Sequence, residues 1–304
     1  MSELITNRSE ILFLYDVTDA NPNGDPLDEN KPRIDEETGI NIVTDVRLKR
    51  TIRDYLHDYK KKDVFILETM DDKGNLRTKE DRLGDFKTAG DLLDRCIDIR
   101  LFGATTAVEG KTMVLTGPVQ FKYGRSLHKV DLTYVKGTTV MPSGADRKQG
   151  TFTEKYILPY SLIAFYGVVN ENAASNQNIK VTEEDIALML EGIWNGTKNL
   201  ISGSKFGQIP RLLIELVYKE GNFYIGELDK RLNLISSKNV DKEIRDISDV
   251  KIDITDLAKT LTDHKDKIEK IRYKADERII FVKDGTDLKI EDTLSDFTIE
   301  LLNF

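Results

Sequence analysis

Cysteine is nearly missing from this chain. Its 304 residues hold one, Cys96, with three histidines and one tryptophan. A single thiol excludes an intramolecular disulfide framework and any cysteine-cluster zinc site, and Cys96 reads as a buried small hydrophobe. His57, His128 and His264 stand isolated from one another and do not suggest an imidazole metal centre, so no metal or cofactor is expected. Long apolar runs are missing too. None approaches the roughly 18 to 20 residues that cross a bilayer, and MSELITNRSE lacks the apolar stretch of a secretory leader. A cytoplasmic protein with no membrane partner is the expectation. Nor is there an excess of basic charge, the net charge being −8.

That average hides a segregation. Residues 43–62 hold seven Lys/Arg against three Asp/Glu, residues 111–160 eight against three, and residues 193–219 four against one. A basic groove on an acidic body would look like this in sequence. With 39% hydrophobic residues the chain can bury a sizeable core, as one large domain with insertions or two smaller ones.

Periodicity outlines the elements. Ile11 to Tyr15 reads as a buried strand, followed by DVTDANPNGDPLDEN, a turn-rich acidic stretch. TDVRLKRTIRDYLHDY has apolar residues at helical spacing behind Thr44 or Asp45 as cap. Its cations Arg47, Lys49, Arg50 and Arg53 crowd the first half, where they oppose the helix dipole and so suggest an anionic partner. Residues 63–87 read as a surface insertion with a turn at DDKGN. TAGDLLDRCIDIRLFGA predicts a second helix ending near Gly103, and KTMVLTGPVQFKYGRSL a strand broken or bulged at Gly117 and Pro118. Gln120, Lys122 and Arg125 are expected on one face of that strand.

Residues 128–155 form two β-prone arms around a Pro, Gly and Ser tip, a protruding hairpin or loop. YILPYSLIAFYGVV is then a buried strand, VTEEDIALMLEGIWNGTKNLI a third helix capped by Thr182, and RLLIELVY a strand after SGSKFGQIP. From about Gly221 the chain is acidic and charge-alternating, with a helix expected near 254–271 and a strand at ERIIFV. The order implies an α+β sheet with helices on one face, in the ferredoxin-like style, plus insertions.

Three chemical motifs fail on spacing. Asp19, Asn21, Asn23, Gly24 and Asp25 match the first half of an EF-hand loop, yet its twelfth position is Asn30 instead of Glu and a strand precedes it. Gly110, Lys111 and Thr112 copy the end of a phosphate-binding loop, but Thr105 replaces its first glycine and a helix precedes it. Asp16, Asp19 and Asp25 would suit a metal-dependent ribonuclease using the acidic 16–28 loop, although no His or nucleophile stands near them. Nucleic-acid binding gathers more: the helix cations, the small residues Gly103, Ala104, Thr105 and Thr106, and the SGSKFGQ segment with Ser204, Lys205, Phe206 and Gln208. Val140 or Met141 on the protruding hairpin would suit insertion between bases.

DVTDANPNGD, TGINIVTDVRLKRTIRDYL, FGATT, TGPVQFKYGRSL, KYILPYSLIAFYGVV and TEEDIALML together resemble, in order through roughly the first 220 residues, the Cas-seven family. These are backbone subunits of type I CRISPR Cascade surveillance complexes, and the likeness is greatest to subtype I-B. The resemblance implies a non-catalytic protein for antiviral defence that oligomerises along CRISPR RNA, with target DNA paired to the guide and other Cascade subunits as partners. It implies an RRM-like palm over 1–220, a finger insertion at about 63–87, a thumb hairpin at about 129–155, and a C-terminal extension, 221–304, packed on the palm. It further implies that Arg47, Lys49, Arg50 and Arg53 meet guide phosphates and that the 103–106 and 204–208 loops line the same groove. Val140 and Met141 would be the thumb wedge, with Arg147 and Lys148 near the next copy. Asn21, Asn23 and Gly24 would support the edge of the RNA, while Asp19 and Asp25 fix the turn or pair with neighbouring arginines.

Overall fold

The computed structural model describes residues 3–108, 111–138, 152–219 and 221–304. Its first strand, β1 (Ser9–Ala20), explains the ILFLY run. Odd positions Ile11, Phe13, Tyr15 and Val17 enter one core and even positions Leu12 and Leu14 another, so both faces are buried and the strand cannot alternate apolar with polar. Two short strands, β2 (Gly24–Asp25) and β3 (Lys31–Pro32), pair across the acidic stretch, and β4 (Ile40–Val43) leads into α1 (Asp45–Asp58). Thr44 caps α1 through its hydroxyl, which accepts from the Arg47 N–H at 3.3 Å.

The insertion that follows carries α2 (Lys79–Leu83), and its DDKGN turn closes on Asp71, which accepts from the Lys73 and Asn75 N–H groups. The expected second helix is two, α3 (Ala89–Arg95) and α4 (Ile97–Phe102), separated by Cys96 in extended backbone. The break turns Asp98 inward, where its carboxylate accepts from the Phe65 and Ile66 N–H groups at 2.8 and 3.1 Å. β5 (Gly103–Val108) pairs with β6 (Lys111–Thr116). β7 (Val119–Phe121), β8 (Gly124–Lys129), β9 (Thr133–Thr138) and β10 (Phe152–Val169) follow. β9 and the first third of β10 are the arms of the expected hairpin, in register from Thr138 opposite Phe152 to Thr133 opposite Ile157.

α5 (Glu171–Asn176), α6 (Glu183–Lys198) and β11 (Gln208–Tyr218) complete the first part, with Thr182 capping α6 by a reciprocal bond with Asp185. Beyond Gly221 come β12 (Asn233–Ser236), β13 (Val250–Asp253), α7 (Thr255–Asp263), β14 (Ile268–Ala275), β15 (Phe281–Lys283), β16 (Thr286–Leu288), α8 (Ile290–Leu294) and β17 (Ile299–Leu301). The helix expected to reach 271 ends at Asp263, because Ile271 and Tyr273 alternate into the second core, Ile268 joins them across a bulge, and β14 pairs with β11.

Among the described residues the strands form a main sheet in the order β17-β14-β11-β1-β10-β8-β4, with β7 and β9 also on β10, a mixed α+β architecture. On one face α1 and α6 pack through Leu48, Ile52, Leu56, Met189, Ile193 and Trp194. On the other lie Leu228, Ile252, Leu257, Leu261 and Phe281 of the C-terminal part. Arg272 ties the two: its guanidinium meets Glu215 and Glu183 at 2.9 Å and Glu300 at 3.0 Å. No described helix is long and apolar enough to cross a membrane.

Candidate nucleic-acid interface

Three segments distant in sequence meet at one end of β1. The Asn21 N–H donates to the Ser204 carbonyl at 2.7 Å and the Thr18 N–H to the Gly207 carbonyl at 3.1 Å, which fastens the 202–207 loop to the end of β1. Gly207 sits at φ +103°, and a Cβ there would lie 2.7 Å from the Thr18 carbonyl oxygen, so the approach demands glycine. Asn23 Oδ1 accepts from both the amide and the hydroxyl of Thr44 at 2.9 Å, fixing the same stretch to the start of α1. Gly24 pairs with Pro32 in the short ladder behind it.

This frame holds two cations without an acid. Arg47 donates to Thr51 Oγ1 at 2.9 Å, while its Nε is buried without a partner. Lys205, half-buried, lies 3.4 Å from Ser204 Oγ. Burial pushes the Lys205 ammonium below the ordinary lysine range and the positive charge of Arg47 pushes it further. Burial likewise lowers Arg47, Arg50 adds to this, and Asp54 and Tyr15 oppose it. Neither cation has a carboxylate within ion-pair distance among the described residues, so the pair is poised for an external anion. Beside them stand apolar side chains that folding leaves in water: Phe206 is 72% exposed, Ile201 80% and Val46 65%. A ring next to desolvated cations suits a base next to its phosphate.

Other predicted cations go elsewhere. Arg53 is buried with its Nε 2.9 Å from Asp98, its guanidinium over the Phe102 ring. Lys49, also buried, pairs with Asp45 at 2.9 Å and reaches Gln120 Oε1 at 3.4 Å. Both hold α1 to its neighbours, which is why cations there do not imply phosphate. Arg50 lies on the surface, paired with Asp54 at 2.7 Å. Gly103, Ala104, Thr105 and Thr106 are in ladder register with residues 113–116 instead of forming an open amide loop. Gly103 is required by φ +72° and by the Leu115 carbonyl against which a Cβ would collide. Gln120, Lys122 and Arg125 share a face as expected: Gln120 stands opposite Val168 and Arg125 opposite Ala164, both even positions of β10, and the Lys122 N–H donates to the Tyr166 carbonyl between them. The two cations are nonetheless engaged, Lys122 with Glu227 at 3.4 Å and Arg125 with Asp35 at 3.6 Å. Gln208 is buried and donates to the Lys205 carbonyl at 3.1 Å, supporting the loop from behind. Val140, Met141, Arg147 and Lys148 lie outside the described residues.

The acidic stretch is spent on structure. Asp16 is buried against Arg211 at 2.8 Å and the Tyr160 hydroxyl at 3.0 Å. Asp25 pairs with Arg33 at 2.5 Å and accepts from the Leu27 N–H at 3.0 Å. No group of three His, Cys, Asp or Glu among the described residues is placed to hold a metal ion. This arrangement gives the ribonuclease reading no support.

Sequence reasoning missed how the hairpin arm joins the site. Lys155 Nζ donates to the Gly203 carbonyl at 2.9 Å, and the Tyr156 hydroxyl donates to Glu29 at 2.7 Å with Lys31 over its ring. A groove of about 700 Å³ runs alongside, lined by Lys31, Arg33, Ile42, Thr44, Tyr123 and Leu132 among others. The only signal was the basic, aromatic KY at the start of KYILPY.

Comparison with known proteins gives the fold and the family. The fold is similar to that of a chain from a solved "CRISPR RNA-guided surveillance complex", with a TM-score of 0.55 and 15% identity over 96% of this chain and 94% of that one. It is also similar to a chain from such a complex in a pre-nicking state, with a TM-score of 0.58 and 14% identity over 96% of both. The family model for CRISPR-associated protein Cas7 matches residues 7–255, and the chain belongs to that family. A Haloferax volcanii protein named CRISPR-associated protein Cas7 is 34% identical over 305 residues, covering 90% of this chain and 88% of its own.

Proposed function

We propose that this chain is a non-catalytic backbone subunit of a CRISPR RNA-guided surveillance complex, in which copies line up along the guide RNA and leave its bases to pair with target DNA. Family membership supports the setting, and the names of the two similar solved structures point the same way. The resemblance of its motifs supports a type I Cascade of subtype I-B in a cytoplasm, with an RRM-like palm over 1–220, a finger at 63–87 and a thumb at 129–155. Residues 221–304 add β14 and β17 to the edge of the sheet beside β11 and cover its face away from α1 and α6. In this reading the thumb tip, with Val140, Met141, Arg147 and Lys148, meets the guide and the next copy.

The observation that carries the reading is Arg47 and Lys205 beside exposed Phe206, two partly desolvated cations with no carboxylate at ion-pair distance among the described residues. Such a site reads backbone charge and stacks any base, which is what a subunit that leaves sequence to base pairing requires. The chain is to be purified with its partner subunits from cells expressing a guide array, and the bound nucleic acid sequenced. Repeat-derived guide RNA is the expected outcome; a complex free of such RNA would overturn the proposal.

A further inference from the structure

His128 occupies a gap in the main sheet. On one flank β10 pairs with the hairpin arm β9 as far as Ile157, and with β8 only from Ile163, opposite Ser126. In between, the Leu162 N–H has no backbone acceptor of that ladder. It donates to the ring of His128 instead, at 3.2 Å to Nε2. The other ring nitrogen, Nδ1, lies 2.9 Å from the Lys129 carbonyl. Since a carbonyl only accepts and an amide N–H only donates, Nδ1 carries the hydrogen and Nε2 is the bare acceptor. The ring is therefore neutral, and it stands in for a rung of backbone where the hairpin leaves the sheet.

The ring is well fixed. It is buried, it stacks on Tyr160 with centroids 5.7 Å apart, and the Ser126 hydroxyl donates to its backbone carbonyl at 2.6 Å. Ser126 in turn accepts from the Asn41 N–H, and Ser161 donates to Asn41 Oδ1, so β4, β8 and β10 are tied at one level.

We propose that His128 is a titratable joint between the main sheet and the hairpin arms: the neutral imidazole closes the ladder at Leu162, and protonation opens it. An imidazolium has no acceptor, so Nε2–H would face the Leu162 N–H and that bond must break. The charged groups facing the ring are Asp241 and Arg245 of the C-terminal part, with Tyr160 stacked on it and Asp16 bonded behind Tyr160. Burial holds the imidazole below the ordinary 6.5, with Arg245 adding to this, and the Lys129 carbonyl and Asp241 oppose it. The sign follows. The unfolded chain takes up a proton near 6.5 and the closed joint does not, so its stability is complete above that pH and falls as pH drops below it.

The test is amide hydrogen exchange on the full chain, corrected for intrinsic rates, between about pH 7.5 and 5.5. Leu162 and residues 133–138 and 153–157 are expected to exchange faster at the lower pH, by up to about tenfold, while Phe13 and Ile214 stay unchanged. In His128→Gln, whose side-chain carbonyl can still accept from Leu162 but cannot titrate, the pH response disappears; in Asp241→Asn it persists. A response that survives in His128→Gln, that vanishes in Asp241→Asn, or that spreads across the whole sheet overturns the proposal. Should His128→Gln not fold, ring-nitrogen resonances of the wild type decide. Titration in step with Leu162 exchange supports the joint, and a ring that titrates without it, or never titrates in this range, overturns it.

Discussion

Two pairs of cations near the start of α1 have opposite fates. Lys49 and Arg53, four residues apart, share the face turned to Phe102 and Asp98, where each finds an acid and a ring. Arg47 on the helix and Lys205 on the loop lie near enough for their charges to repel, and among the described residues neither has an acid within ion-pair distance. In one case the fold supplies the anion, and the charge contributes to structure. In the other it withholds the anion, and the charge is left for a partner. Each pair is one arginine and one lysine; the neighbouring carboxylate makes the difference.

Removing Arg53 should break this contrast most severely. Arg53→Met leaves Asp98 buried and charged, and breaking such a pair costs about 3–5 kcal/mol. Chemical denaturation followed by the emission of Trp194, the single tryptophan, is expected to show that loss. Arg47→Met with Lys205→Met should do the reverse, leaving stability intact. Affinity for single-stranded guide RNA would drop about 100-fold, from two lost charge-assisted contacts. The slope of log affinity against log salt would fall by about 1.4. Fluorescence anisotropy over a salt series checks both numbers. Phe206→Ala sharpens the comparison from the uncharged side, weakening binding by about 1–3 kcal/mol with the salt slope unchanged. The smallest effect is expected for Arg50→Ala: Asp54 already neutralises this exposed arginine, so affinity should change by about twofold or less. A loss matching that of the Arg47 and Lys205 pair would place Arg50 in the groove as well.

The same contrast separates what could be read in the chain from what could not. Strands and long helices were legible because burial imposes periodicity: ILFLY reads as doubly buried, and Thr44 and Thr182 mark the helix starts. Lys205 and Phe206 were legible as a basic, stackable loop, and the turn role of Asp25 was foreseen. Which cation lacks an acid was not legible, since Asp98 lies 45 residues from Arg53 and Lys205 lies far from Arg47 along the chain. Only tertiary packing decides such pairings. The split second helix escaped for a related reason: Cys96 leaves helical geometry so that Asp98 can turn inward to Arg53 and the Phe65 and Ile66 amides, a demand made by residues outside the helix. The shared face of Gln120, Lys122 and Arg125 was legible from the strand pattern, but not the carboxylates Glu227 and Asp35 that engage its two cations. The C-terminal part gave its secondary structure in outline, yet its place beneath the sheet came from Leu12 and Leu14, even positions of a strand more than two hundred residues earlier.

Photocrosslinking tests the central claim most directly. The chain assembled with its guide RNA is irradiated, digested, and the RNA-bearing peptides are identified by mass spectrometry. The account predicts adducts on the peptide carrying Lys205 and Phe206 and on the first turn of α1. Adducts confined to residues 221–304, or to the Lys49 and Arg53 face of α1, would contradict it.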